Sequence, residues 1–282
     1  AGGRVLEVNP RFEAQELIYD AGGDPPFAVR AAYEHSHAAN NFYAARRCPN
    51  LIDAEAMKTF IDLTHERYWK RLKPHFGKTI QAFFTDEPSL MAVNLGQLPE
   101  EVRKRVHVQD RVDPAVKDYP SVPWSDDLAA EYQRRYSEDL LERRRDLFAG
   151  DSEAAKRTRR QYWSLISDLM AERFFGPIQD WCRPKGVASS GHSLWEERII
   201  HHVPLYGNAL ESLKRMDWPG LDMLSSNPGD VIHIGWLTAG LPSSAAVLGG
   251  NRRVMTEVSD FIQKMGGQGP ASVEKMQATA AW

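Results

Sequence analysis

From residue 51 onward the chain alternates apolar, strand-like runs with helical patterns, and each of those runs ends on polar or ionisable residues. Ile80-Gln81-Ala82-Phe83-Phe84 leads to Asp86-Glu87-Pro88, and Gly186-Val187-Ala188-Ser189 leads to Gly191-His192. Leu221-Asp222-Met223-Leu224 leads to Ser225-Ser226-Asn227, and Arg253-Val254-Met255-Thr256 leads to Glu257. Strands that alternate with helices pair in parallel through crossover units. In a (β/α)8 barrel the carboxyl ends of such strands converge on one face, where active sites lie. An open doubly wound sheet would carry a Gly-rich phosphate loop after its first strand, and neither a G-x-G-x-x-G nor a Walker motif is present. The expected fold is therefore α/β, a (β/α)8 TIM-type barrel. Four strands read clearly and one earlier strand is plausible, so the barrel is expected to be incomplete, lacking its first strands and its last.

The helical stretches fix the order of elements. Asp53 can cap a helix whose apolar stripe is Met57, Phe60, Ile61, Tyr68 and Leu72, with Gly77 closing it. A polar stretch then reaches Pro123-Trp124-Ser125, where Ser125 is expected to cap a helix starting at Asp126. A longer helix is expected from about Glu153 to Trp181, with Tyr162, Leu165, Ile166 and Leu169 on one face and a kink at Gly176-Pro177. Residues 238–250 offer a short helix between the last two strands, and residues 272–281 read as another. Residues 1–50 differ in texture. Their short β-like runs at 4–8, 16–19 and 27–33 are separated by turn residues such as Gly22-Gly23-Asp24-Pro25-Pro26. The division expected is a β-rich segment over 1–50 at the barrel edge and a catalytic barrel over 51–282, cut short at its C-terminal side. The start at Ala1 without an initiator Met, and the stop at Trp282 inside a helical run, read as a piece of a longer protein.

Composition excludes several partners. With 42% hydrophobic and 26% charged residues, the 282-residue chain can build one large core. A formal net charge of -3 gives no footprint for nucleic acid or an anionic membrane. No apolar run reaches the ~18 residues of a membrane span. Cys48 and Cys182 have no paired spacing, which leaves the redox compartment open.

The strand tips carry the chemistry. Glycosidic bonds are cleaved by two carboxyl groups, one protonating the leaving oxygen and the other attacking the anomeric carbon or activating water. Glu87 sits at a strand tip beside Asp86, which would raise the pKa of Glu87 if both face one cavity. The bland alternative is that Asp86 and Glu87 cap the next segment. Glu257 is the second strand-tip carboxylate, and its alternative is a salt-bridge partner. The run Gly191-His192-Ser193-Leu194-Trp195-Glu196-Glu197 offers a histidine, an aromatic platform and two acids in one strand-end loop. Trp195 can stack on a sugar face, while Glu196 or Glu197 can equally start a solvated helix. Trp124, Trp218 and Trp236 are further stacking candidates, though large aromatics are more often core. His192, His201, His202 and His233 lack the H-x-H or H-E-x-x-H spacing of a transition-metal site, so no metal ligand is assigned. Calcium held by loop carboxylates such as Asp222 or Asp230 needs no fixed motif and stays open. A serine nucleophile is disfavoured, since no G-x-S-x-G elbow occurs.

Several segments together form a collinear pattern over most of residues 50–282. They are Asn50-Leu51-Ile52-Asp53 with Phe60-Ile61-Asp62-Leu63-Thr64-His65-Glu66-Arg67-Tyr68, then Phe83-Phe84-Thr85-Asp86-Glu87-Pro88, Pro123-Trp124-Ser125 and the His192 to Glu197 run. Met216-Asp217-Trp218-Pro219-Gly220-Leu221-Asp222-Met223-Leu224, Ser243-Ser244-Ala245-Ala246 and Arg252-Arg253-Val254-Met255-Thr256-Glu257 complete it. The pattern resembles the bacterial barrel glycosidases of the α-L-rhamnosidase type, glycoside hydrolase family 106. The resemblance implies a multi-domain bacterial enzyme with a catalytic (β/α)8 barrel that attacks side chains of plant or microbial polysaccharides, and a secreted or periplasmic full-length protein. The wider clan of retaining barrel glycosidases places its acid/base after the fourth strand, typically as Asn-Glu-Pro, and its nucleophile after the seventh. Those positions correspond to Glu87 and Glu257, with Asp86 standing where the clan has Asn. The rhamnosidase family itself is understood to invert and to use calcium, with a base on a later strand-end loop, which Glu196 or Glu197 would supply.

The expectation is thus a glycoside hydrolase with Glu87 as general acid and Glu257 as nucleophile or base, their carboxyl groups within about 10 Å. Glu197 is the alternative partner, and Asp86, His192, Trp195, Glu196, Asp222 and Asn227 would line the sugar subsite. The partner is an oligosaccharide or polysaccharide. Two rivals remain, a metal-dependent barrel hydrolase built on His192 and Asp222, and a carbohydrate-binding barrel without turnover.

Overall fold

A computed structural model of the chain describes the strands at 4–8, 16–20, 27–31, 44–45 and 107–108, residues 49–90, 122–194 and 199–223, and residues 196, 236–258, 267 and 271–281. The strands are, in chain order, β1 (Arg4–Val8), β2 (Glu16–Asp20), β3 (Phe27–Ala31), β4 (Ala44–Ala45), β5 (Ala82–Thr85), β6 (His107–Val108), β7 (Pro123–Trp124), β8 (Ala188–Gly191), β9 (Trp218–Met223) and β10 (Met255–Val258). The chain divides into two compact units. One comprises Ala1–Leu63 with Ser89–Phe174, the other Thr64–Pro88 with Phe175–Trp282.

In the first unit, β1, β2 and β3 form an antiparallel meander to which β7 adds in parallel, while β4 pairs with β6. The expected runs at 4–8, 16–19 and 27–33 are strands, the last ending at Ala31. The helical part packs on the side chains of helix Glu153–Met170, where Tyr162, Leu165, Ile166 and Leu169 are buried together with Leu128 and Tyr132. Ser152 caps that helix by accepting a hydrogen bond from the Ala155 N–H, a contact of the kind that contributes about 1 kcal/mol. The helix passes through a π-helical turn at Ala171–Phe175 before the Gly176–Cys182 helix begins, which is the break expected at Gly176-Pro177. The helix expected to start at Asp126 under a Ser125 cap begins instead at Leu128. Ser125 donates its hydroxyl hydrogen to Asp127, whose carboxylate also takes both guanidinium nitrogens of Arg173 at 2.9 and 2.7 Å.

The single helix expected from Asp53 towards Gly77 is two helices. Asp53 caps Ala54–Leu63 through the Ala56 N–H at 2.8 Å, as expected. The backbone then turns at Thr64, and His65–Leu72 follows as a separate helix in the second unit. Met57 lies in the core of the first unit, whereas Tyr68 and Leu72 stay exposed, so the apolar stripe is not one buried face.

The second unit carries the candidate site residues. Its sheet has the order β10-β9-β8-β5 with every pair parallel, so that strands successive in the sequence lie side by side. Helices Ile199–Tyr206 and Ala209–Leu213 connect β8 to β9, and Trp236–Leu248 connects β9 to β10. This is a mixed α/β architecture with a parallel half-barrel sheet. A closed barrel is not among the described residues. Alternation along β5 sends Phe83 towards the rings of His65, Trp181 and Phe76 and Phe84 towards His192.

Two glycines set how tightly the strands meet. A Cβ on Gly191 would lie 2.2 Å from the Thr85 carbonyl oxygen, and one on Gly220 would lie 2.6 Å from the Gly191 oxygen. Only glycine permits that approach. Below them, Asp217 accepts hydrogen bonds from Gln179, Arg183 and the Ser189 N–H and hydroxyl, which ties the lower end of β8 to the start of β9.

Among the described residues no helix is long and apolar enough to cross a membrane. Cys182 is a free, buried thiol, and burial pushes its pKa up to about 12, which makes it inert as a nucleophile. Cys48 lies outside the described residues.

Candidate active site

The carboxyl ends of β5, β8, β9 and β10 bring five of the expected site residues together. Asp86 and Glu87 follow β5, His192 follows β8, Asp222 is in β9 and Glu257 is in β10. His192 is the hub. It is 1% exposed, and its Nε2 lies 3.1 Å from Glu257 Oε2 and 3.3 Å from Asp86 Oδ1. On the other side of the ring, Nδ1 lies 3.2 Å from the Ser193 carbonyl oxygen, and the Phe84 ring packs with its centroid 5.4 Å away. The His192 N–H donates to the Thr85 carbonyl, so the close approach allowed by Gly191 is what seats this side chain beside Asp86 and Glu87.

Glu87 departs from ordinary geometry in two respects. Its backbone φ is 46°, a left-handed conformation that costs a non-glycine residue about 1–3 kcal/mol and that clusters at functional sites. Pro88, which follows it, narrows the backbone choices further. Its carboxyl is half-buried, with a pKa raised to about 7. Burial is the main cause. Asp86, Asp222 and Glu257 push in the same direction, and His192 opposes them. Asp86, expected from the sequence to drive the shift, is a secondary contributor.

Two further groups shape the rim. Glu196 is buried and accepts the Asp222 N–H at 2.7 Å, so it braces β9 instead of starting a solvated helix. Its own carbonyl faces His202 Nε2 at 2.9 Å. Tyr206 is fully buried and its hydroxyl accepts the Leu194 N–H, which pins the loop after β8. Nothing in the sequence singles out Tyr206, because a tyrosine near the end of a helix does not announce a loop contact. Trp218 receives the Arg253 guanidinium over its ring at 5.3 Å. Trp195, Glu197 and Asn227, together with Asp230, His201 and Trp236 as side chains, lie outside the described residues.

Two sets of three side chains, Asp86, His192 and Glu257, and Glu87, His192 and Asp222, offer atoms within 4.8 Å of one another. Such proximity is needed to hold an ion, and a protonated histidine between carboxylates produces it too. Both sets include an imidazole nitrogen, and neither is the all-oxygen set that calcium takes.

No family model matches the chain, and no curated protein matches it either. Among solved structures, a rhamnosidase from Novosphingobium sp. PP1Y is similar with 14% sequence identity and a TM-score of 0.45, over 75% of this chain and 21% of that one. The chain therefore spans 21% of that enzyme's length, and no residue role transfers at that level of likeness.

Proposed function

We propose that the chain is the site-bearing part of a glycoside hydrolase in which Glu87 is the general acid and Glu257 the nucleophile or base. The observation that carries this reading is a half-buried carboxyl at the end of a parallel strand whose pKa reaches about 7, beside further carboxylates. A group of this kind still holds a proton at neutral pH and can give it to a departing glycosidic oxygen. A second carboxylate can meanwhile attack the anomeric carbon or deprotonate water. The parallel half-barrel sheet supports a complete (β/α)8 barrel in the whole protein, in which the mouth sits at the carboxyl face. The sequence resemblance supports an α-L-rhamnosidase-type substrate, a deoxyhexose side chain on a plant or microbial polysaccharide.

A panel of aryl glycosides and branched oligosaccharides, offered to the chain in its natural full-length context, tests the reading. Release of aglycone from one sugar class is expected, and Glu257→Gln is expected to reduce it by about 100-fold or more. Oligosaccharide binding with no bond cleavage would instead favour a carbohydrate-binding barrel.

A further inference from the structure

His192 has no free nitrogen with which to bind a sugar. A carbonyl oxygen only accepts hydrogen bonds, so Nδ1, 3.2 Å from the Ser193 carbonyl, has to carry a hydrogen. Nε2 then faces two carboxylate oxygens, Glu257 Oε2 at 3.1 Å and Asp86 Oδ1 at 3.3 Å, and a bare lone pair there would be repelled by both. The ring is buried and backed by Phe84, so it cannot turn away to water. We infer that His192 is a positioning residue rather than a sugar-binding one, a buried imidazolium that bridges Asp86 at the end of β5 to Glu257 in β10 and fixes the spacing of the two carboxylates. The inference rests on the glycosidase reading only for its kinetic consequence, since the bridge itself is a matter of geometry.

The surroundings agree with a cation at this position. Among the described residues, the titratable groups that act on His192 or on Glu87 include Asp86 and Glu87 after β5, Glu196 in the loop after β8, Asp222 in β9 and Glu257 in β10. Tyr206, from the helix Ile199–Tyr206, stays neutral because burial holds its pKa well above the usual range. Burial alone would lower the His192 pKa, and Glu196, the Ser193 carbonyl, Asp222 and Asp86 together more than offset it. The bridge spans two strands that are not neighbours, because β8 and β9 lie between β5 and β10.

The test has a readout that does not depend on turnover. In the 282-residue chain labelled with 15N-histidine, the ring nitrogens of His192 are expected to be protonated at both positions at pH 7, with the signal assigned through its backbone connection. A neutral ring with a bare Nε2 at that pH would overturn the inference, and a shift of that signal on adding zinc would then point to a metal site. The second readout is kinetic. His192 lowers the Glu87 pKa, so His192→Gln is expected to move the descending limb of the pH–rate profile, the one set by Glu87, to higher pH. Loss of rate with that limb unmoved would mean that the ring is only structural, and that result also overturns the inference. A doubly protonated His192 in a protein that cleaves no glycoside would leave the bridge standing and remove the glycosidase reading.

Discussion

Glu87→Gln is expected to cut the turnover of an unactivated glycoside by roughly 10² to 10⁴-fold, the range spanned by loss of a general acid. The amide keeps the shape of the carboxyl and asks the same of the backbone, which at φ 46° is already committed to an unusual turn. It removes only the proton that the half-buried group holds up to about pH 7. The size of the effect therefore depends on the leaving group. A dinitrophenol departs as an anion without help, so the variant is expected to lose far less rate on a dinitrophenyl glycoside than on an alkyl glycoside. Equal losses on both substrates would place the fault in binding or folding, and Glu87 would no longer be the acid.

Gly191→Ala is expected to damage fold and site together. Its Cβ would stand 2.2 Å from the Thr85 oxygen and 3.1 Å from the Thr85 carbonyl carbon, both backbone atoms that cannot swing aside. Forced separation of β5 from β8 costs about 1–3 kcal/mol by analogy with overpacked cores, which lowers the melting temperature by about 2–12 °C. The separation also lifts His192 off the Thr85 carbonyl that its N–H uses, so activity is expected to fall by more than the loss of folded protein explains. Gly240→Ala, in the helix Trp236–Leu248 with open space around it, serves as the control and is expected to stabilise by about 0.5–1 kcal/mol. A Gly191 variant as stable and active as the control would show that the strand contact is not under compression.

The parallel sheet was legible in the sequence because apolar runs ending in ionisable residues say both what is buried and where the chain emerges. Their bounds were less so. The strand expected at 186–189 runs from Ala188 to Gly191, and the one expected at 253–256 runs from Met255 to Val258. Ser189 and Ser190 are buried within β8 because Asp217 and the Trp218 carbonyl satisfy their hydroxyls, and a hydropathy pattern contains no sign of such partners. Thr64 likewise gave no signal of ending a helix, since the apolar stripe ran through it without interruption while the packing changed from one compact unit to the other.

In the site, residue types were easier to read than roles. Asp86, Glu87, His192, Asp222 and Glu257 all stand at the carboxyl ends of the strands, where a barrel argument puts working groups. His192 is expected at the sugar subsite because it lies in the strand-end loop, yet it is buried. Its burial follows from Gly191, a residue whose importance lies in an absent side chain. Glu196 is expected in the sugar subsite or at a solvated helix start, yet its carboxylate is taken up by the Asp222 N–H, a contact made across 26 residues of chain that no local pattern encodes.

Glu87 is expected to hold its proton close to neutrality and to give it to the leaving group. The pH dependence of kcat/KM for an unactivated glycoside, measured in parallel for the natural protein and for Glu87→Gln, tests it most directly. The active form of an acid is the protonated one, so activity of the natural protein is expected to fall as pH rises through about 7. In Glu87→Gln that descending limb is expected to be absent and the residual rate flat across the same range. A limb that persists unchanged in the variant would belong to another group, and Glu87 would lose its assignment as the general acid.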